Sequence, residues 1–269
     1  MMSMISCGRV IDYLCRGIGI LLVGLTVTFL LAPAIVVLSL SFSNETFFSF
    51  PPGEWGLRQY RTLFSSTTWL EPVKLSFQIA LPTAGLALIT VMPALVAINR
   101  SRLRGTAALQ LAGIGPLLIP LSAYAVAMYS VFAQFGLLGS FWGLVLAHTI
   151  LAIPLVLVVV GAAFAQISEE LELVAMVLGA SRFRAFVGVT LPLLLPGIIA
   201  ASLLAFDVSF NEAVFINFLG GPGLVTLPKA IFDSVRFGVD PVVTAIATLL
   251  MLGTSLVVIA ATKLRRSVQ

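Results

Sequence analysis

The sequence predicts an all-α integral membrane protein with six transmembrane helices, on three observations. Of its 269 residues, 59% are hydrophobic and only 10% charged, with a mean hydropathy of +1.12, which lies far outside the range of soluble domains. Six segments, 17–40, 75–98, 107–132, 141–165, 193–219 and 241–262, each supply roughly the 20 mainly apolar residues that cross a hydrocarbon core about 30 Å thick. The basic residues between them fall mostly on one side. No soluble domain, internal repeat or low-complexity segment interrupts the pattern.

The first span starts at Gly17. Its apolar run is too long for a signal-peptide core and holds no small-residue cleavage site, so it is expected to stay in the mature protein. Cys7 and Cys15 precede or open it and read as free thiols. The segment 43–72 is the longest polar stretch. Pro51, Pro52 and Gly53 mark a turn before Trp55, Tyr60 and Trp69, which predicts an outer loop with a short surface helix and aromatics at the membrane interface.

The second span ends in an inner loop, 99–106, carrying Arg100, Arg102 and Arg104, a tight turn suited to anionic headgroups. The third and fourth spans are joined by 134–140. His148, the one histidine, lies in the fourth span; a lone imidazole is a poor metal site, and packing, hydrogen bonding or lining a path are the roles open to it.

Between the fourth and fifth spans lies a short helix with apolar residues on nearly every face. Ser168 can cap it, and Glu169, Glu170 and Glu172 sit where carboxylates meet the positive end of the helix dipole. Leu171, Val174, Ala175 and Leu178 form one stripe, while Leu173, Met176 and Val177 cover the rest. Such a helix needs a partner to cover it, or else lies on the lipid surface, where Lys or Arg would be the usual polar face and Glu is not. Gly179 stops it, and Ser181 restarts a turn carrying Arg182 and Arg184.

The fifth span holds Asp207, Ser209, Asn211 and Glu212. Ionisable groups at membrane depth are expensive and usually face a bundle interior or an aqueous path. Asp207 and Asn211 share a helix face, with Glu212 about 100° further round. These groups line a solute path or act as hydrogen-bonding glue between helices; ionised, they would favour a cationic solute. Prolines 82, 93, 116, 120, 154 and 196 interrupt or start the spans and free backbone carbonyls there. The outer loop 219–241, with Gly220, Gly221, Pro222, Gly223 and Pro228, predicts turns rather than helix.

An even number of spans places both termini together. Arg9, Arg16, Arg100, Arg102, Arg104, Arg182, Arg184, Lys263, Arg265 and Arg266 lie on the terminal side against Arg58, Arg61, Lys74, Lys229 and Arg236 opposite, so the termini and the Ser168 helix are expected in the cytoplasm. This topology accounts for the net charge of +4; no basic run is long enough for nucleic acid. No phosphate-cradling Gly-x-x-x-x-Gly-Lys-Ser/Thr loop, His-Glu-x-x-His zinc motif or Gly-x-Ser-x-Gly turn occurs. An enzyme would need Asp207, Glu212 and His148 to converge; a passive channel would have no use for the apolar Ser168 helix.

Leu171, Glu172, Ala175, Leu178, Gly179, Ala180, Leu191, Pro192 and Pro196 resemble the cytoplasmic coupling loop of ABC importer permeases. Leu173 and Val174 depart from the usual Glu-Ala, and Glu172 stands one residue earlier. The resemblance spans about Leu57 to Arg266. It implies a type I ABC importer permease fold, with an N-terminal span and outer loop over 1–72 and a permease core over 73–266 carrying coupling helices at about 168–188. It implies that Glu170, Leu171, Glu172, Ala175, Leu178, Gly179, Ala180 and Arg182 couple to the ATPase. It further implies a non-catalytic chain in a prokaryotic inner membrane that binds no cofactor itself. Two ATP-binding cassette subunits would hold ATP and Mg, beside a second permease, homologous or identical, and an external solute-binding protein, for which the 43–72 loop offers a contact.

Gly136 to Gly143, Ala147-His148-Thr149, Ser209-Phe210-Asn211-Glu212, Thr226-Leu227-Pro228 and Ser234 to Val239 narrow the resemblance to the second permease of spermidine/putrescine importers. That implies a substrate pathway through Asp207, Ser209, Asn211, Glu212 and His148. Where such permeases often carry two acids, the first here is Asn211, and permeases for iron, phosphonate, thiamine and sulfate are broadly similar.

Overall fold

The computed structural model describes residues 2–100 and 105–267, with side chains for 15–100, 105–256 and 259. The expectations for Arg102 and Arg104 lie outside the described residues, and those for the side chains of Cys7, Arg9, Lys263, Arg265 and Arg266 lie outside the described side chains. The described residues form α1 (Met2–Ser41), α2 (Arg58–Ser65), α3 (Thr67–Arg100), α4 (Thr106–Ile114), α5 (Leu121–Gln134), α6 (Phe141–Phe164), α7 (Glu169–Val177), α8 (Arg182–Ala185), α9 (Leu191–Phe210), α10 (Val214–Leu219), α11 (Leu227–Phe237) and α12 (Val242–Ser267). A 3-10 turn, Gly115–Leu118, follows α4, and a π turn, Phe186–Thr190, joins α8 to α9. Among the described residues the one β feature is an isolated bridge between Ser43 and Trp55.

The chain divides into two compact units: Met1–Ser66 with Gly238–Gln269, and Thr67–Phe237. In the first, α1 packs on α12. The stretch Cys15–Ser41 is long and apolar enough to span a bilayer, and its Leu21, Phe29 and Leu30 stay exposed, as side chains solvated by lipid do. Where α1 ends, Tyr60 on α2 ties the exit down: its hydroxyl lies 2.9 Å from Ser41 Oγ and its ring packs on Phe42. Buried Gln59 donates from Nε2 to the Ser43 and Glu45 carbonyls at 3.2 and 2.8 Å, satisfying backbone groups of an otherwise irregular loop.

The second unit is built on α3, α6 and α9. Ala84, Ala87, Val91 and Leu95 of α3 recur at three- and four-residue spacing and meet Ala152, Val156, Val160 and Phe164 of α6 and Leu194, Ala201 and Ala205 of α9. Small residues let these backbones approach closely, the usual device where lipid supplies no hydrophobic drive between helices. At Gly197 a Cβ would stand 2.6 Å from Ala163 Cβ. A second cluster, including Ala125, Met128 and Phe132 of α5, Leu144 and Val145 of α6, and Phe215, Ile216 and Leu219 of α10, seats the short helices around the start of α6.

Among the described residues, four helices are long and apolar enough to cross a membrane, or five if a bent pair forms one span. The expected sixth, 241–262, coincides with α12, whose described apolar stretch is Val242–Leu256. The expected third span, 107–132, is bent by 110° between Leu118 and Leu121. Ile119 there is extended (φ −88°, ψ 130°), because the ring of Pro120 disfavours helix in the residue before it. The expected fifth span, 193–219, is helical only to Phe210 and resumes at Val214. The expected turn-only loop 219–241 folds into α11 beyond its glycines; Pro228 sits in the first helical turn, where its missing N–H costs nothing.

Candidate coupling surface and candidate solute path

Helix α7 is shaped locally by its sequence. Ser168 Oγ accepts from Glu170 N at 3.2 Å, and Glu169, Glu170 and Glu172 fill the first turn, where they meet the dipole's positive end. At the other end Gly179 is left-handed (φ +96°). Ala180 N donates to Ala175 O and Gly179 N to Met176 O, both at 3.0 Å, the paired bonds of a Schellman stop. Ser181 Oγ then accepts from Arg184 N at 3.3 Å to start α8.

Leu171, Leu173, Val174 and Phe183 are exposed, as are Val177 at 87% and Leu178 at 83%. Glu169, Glu170, Arg182 and Arg184 are exposed around them, and Ala175 and Ala180 are half-buried. Glu172 points the other way. Its Oε1 accepts from Arg100 Nε at 3.0 Å and from the hydroxyl of buried Thr190. The sequence-predicted coupling residues therefore divide into an exposed set, two half-buried alanines and one inward acid.

The polar residues of the fifth span divide as well. Asp207 is exposed on α9, and Asn211 Nδ2 donates to its Oδ1 at 2.9 Å and to its carbonyl at 3.0 Å. This fixes the carboxylate on an open face. On the same stretch of α9, Phe206 and Phe210 stack with centroids 5.5 Å apart, and Phe77 of α3 packs against both at 5.6 and 5.0 Å.

His148 and Ser209 turn inward. His148 is fully buried, with Nδ1 2.9 Å from Ser209 Oγ and Nε2 without a hydrogen-bond partner among the described residues. Glu212 is 6% exposed. Its Oε1 accepts from the backbone N–H of Phe215 at 2.8 Å and from that of Val214, so this oxygen caps α10 and satisfies donors the helix break would orphan.

The structure thus brings Asp207 with Asn211 and His148 with Ser209, and sets Glu212 apart in a buried cap. Thr190, Phe77 and Phe206 are additions to the residues the sequence singled out, and Arg100, expected to serve the inner turn, joins Glu172 instead. The Phe206 and Phe210 spacing of four beside Asp207 was a legible signal; Arg100 and Glu172, 72 positions apart, carried none.

A sequence profile of the family described as "Binding-protein-dependent transport system inner membrane component" matches residues 79–268. The chain belongs to this family. The permease is 32% identical over 243 residues to the "Putrescine transport system permease protein PotI" of Escherichia coli (strain K12), covering 86% of this chain and 84% of that relative. It is 30% identical over 234 residues to the "Spermidine/putrescine transport system permease protein PotC" of Haemophilus influenzae, covering 86% and 90%. In three dimensions it matches a crystal structure of "a bacterial ABC transporter involved in the import of the acidic polysaccharide alginate", with a TM-score of 0.74 at 17% identity over 94% of this chain and 96% of that one; at that identity the match speaks for the fold. The permease is therefore the membrane-spanning, non-catalytic subunit of an ABC importer, a multi-pass protein whose ATP hydrolysis belongs to a separate subunit.

Proposed function

We propose that the permease carries a polyamine, or another small cationic solute of that kind, across the inner membrane of a prokaryote. Its complex would hold two ATP-binding cassette subunits with their ATP and Mg, a second permease subunit, homologous or identical, and a solute-binding protein outside. The exposed Asp207 carboxylate, oriented by Asn211, carries the substrate reading. A carboxylate supplies the charge that an ammonium group needs, and an aromatic ring such as that of Phe206, its neighbour in sequence, suits both a cation and the methylene chain between ammonium groups. The names of the relatives point to the same chemistry.

The exposed face of α7 with Phe183 serves in this reading as the docking surface for the cytoplasmic ATPase. Closure of the ATPases on ATP would displace α7 and bias a two-state bundle from inward-open to outward-open.

Labelled spermidine uptake, measured in cells with and without the chain and competed by putrescine, phosphonate, thiamine or sulfate, tests the solute. Uptake lost on deletion, competed only by cations, and reduced about tenfold or more in Asp207→Asn is the expected result. Spermidine uptake that survives deletion, or is competed by the anions, overturns it.

A further inference from the structure

We infer that Arg100 is a positioning residue: through Glu172 and Thr190 it locks the docking helix α7 to the spanning helices α3 and α9, so that force on α7 reaches the bundle directly. The inference rests on the proposed docking of the ATPase on α7.

Arg100 is the last residue of α3, and it bridges the whole joint between α6 and α7. Its Cζ lies 4.8 Å from the ring centroid of Phe164, the final residue of α6. Its Nη2 donates to the carbonyl of Ile167 in the connecting turn at 3.3 Å, and its Nε donates to Glu172 on α7 at 3.0 Å. The same Glu172 oxygen accepts from the Thr190 hydroxyl at the end of the π turn that leads into α9. One carboxylate oxygen is therefore the common point of three elements, and one guanidinium reaches a fourth.

The pair is shielded: the Arg100 and Glu172 side chains are 14% and 13% exposed. A helix-end arginine serving only topology would reach for solvent and lipid headgroups; this one is turned into the protein. The forked guanidinium is the group that can serve a ring face, a carbonyl and a carboxylate together, which a lysine cannot do.

Helix α7 needs such a fixture. It has nine residues and none is fully buried, and a helix this short is marginal unless tertiary contacts hold it. Without the lock its attachment to the unit is the two connecting turns, the half-buried Ala175 and Met176, and its packing on α8 and the π turn that follow it in the chain, and it would pivot about them. A docking helix that pivots absorbs a push; one bolted to α3 and α9 passes it on. The register of Thr190 is set by the π turn, since one extra residue per turn rotates the downstream side chains by about 100° relative to an uninterrupted α-helix. Glu172, the acid nearest the coupling-loop pattern, is occupied inside the permease, which leaves Glu169 and Glu170 as the open acids of α7.

The test uses the assembled transporter in proteoliposomes, reading ATP hydrolysis, solute uptake and retention of the ATPase subunits in the same preparation. In Arg100→Gln the ATPase is expected to stay bound and to hydrolyse ATP, while solute moved per ATP falls roughly tenfold. Arg100→Lys, which keeps the ion pair and loses the fork, and Thr190→Val, which loses one hydroxyl, should fall between Arg100→Gln and wild type. The exchanged pair Arg100→Glu with Glu172→Arg should recover part of the ratio. An unchanged solute-to-ATP ratio in Arg100→Gln overturns the lock, and so does parallel loss of ATPase binding and hydrolysis in Arg100→Gln, Arg100→Lys and Thr190→Val. Leu178→Asp is the control for the reading beneath it. If that variant keeps the ATPase bound, the docking face is wrong; if it sheds the ATPase while Arg100→Gln keeps its ratio, the lock alone fails.

Discussion

Gly179 shows how much a single position constrains the chain. Its φ of +96° lies where a Cβ is strained, although nothing stands within 4 Å of one. The cost of substitution is therefore conformational rather than steric. Gly179→Val should cost roughly 1–2 kcal/mol, disordering the end of α7 and uncoupling hydrolysis from uptake; the ratio of solute to ATP checks it, and coupled transport at the wild-type ratio would count against the role of this stop. His148 and Ser209 make a second residue-scale test. Both are buried and bonded at 2.9 Å, so His148→Ala and Ser209→Ala should each lower the melting temperature of the purified protein. The double variant should be less destabilised than the sum, with a coupling of about 1 kcal/mol. Strict additivity would show that the contact contributes nothing. The caps and the stop were legible in sequence because they are local: Ser168, Gly179 and Ser181 act on backbone within a few residues. The His148 to Ser209 bond, spanning 61 positions, depends on how two spans pack and left no local trace.

Among the elements, the break between α9 and α10 is the first of three features the sequence concealed. Apolarity continues through 193–219, so a hydropathy reading runs one helix across it. The chain instead stops at Phe210 and uses Glu212 to cap the next helix. Glu212→Ala leaves two backbone donors unpaired in a buried setting, a loss of about 1–3 kcal/mol. Faster amide exchange at Val214 and Phe215 with a lower melting temperature is the expected outcome, and unchanged exchange there would assign the carboxylate elsewhere. Glu212→Gln keeps an acceptor and should be milder. The same blindness to local stereochemistry explains the straight third span expected over 107–132. Composition counts apolar residues, whereas Pro120 acts on the dihedrals of Ile119. Helix α11 was missed for the opposite reason, since the glycines and prolines near its start outweighed the amphipathic run beyond them.

For the whole molecule, fold class was readable because it rests on sums, total apolarity and the partition of basic residues, whereas the family was readable from one local pattern, the run from Leu171 and Glu172 through Gly179 and Ala180 to Pro192. Orientation is the part that a solution measurement can test directly. With ten basic residues assigned to the terminal side and five opposite, a phosphatase reporter fused at the C-terminus should be silent and one inserted near Pro52 active. The reverse pattern would invert the docking assignment for α7.

The bare apolar face of α7, with Val177 and Leu178 more than four-fifths exposed, also bears on how the protein is kept in the cell. If the ATPase docks there as proposed, a copy made without it presents this patch to water, and such surface is what chaperones and quality-control proteases bind. Steady-state abundance should then follow that of the partner, with orphan copies turned over faster than assembled ones, so balanced synthesis of the two chains becomes a condition for keeping either.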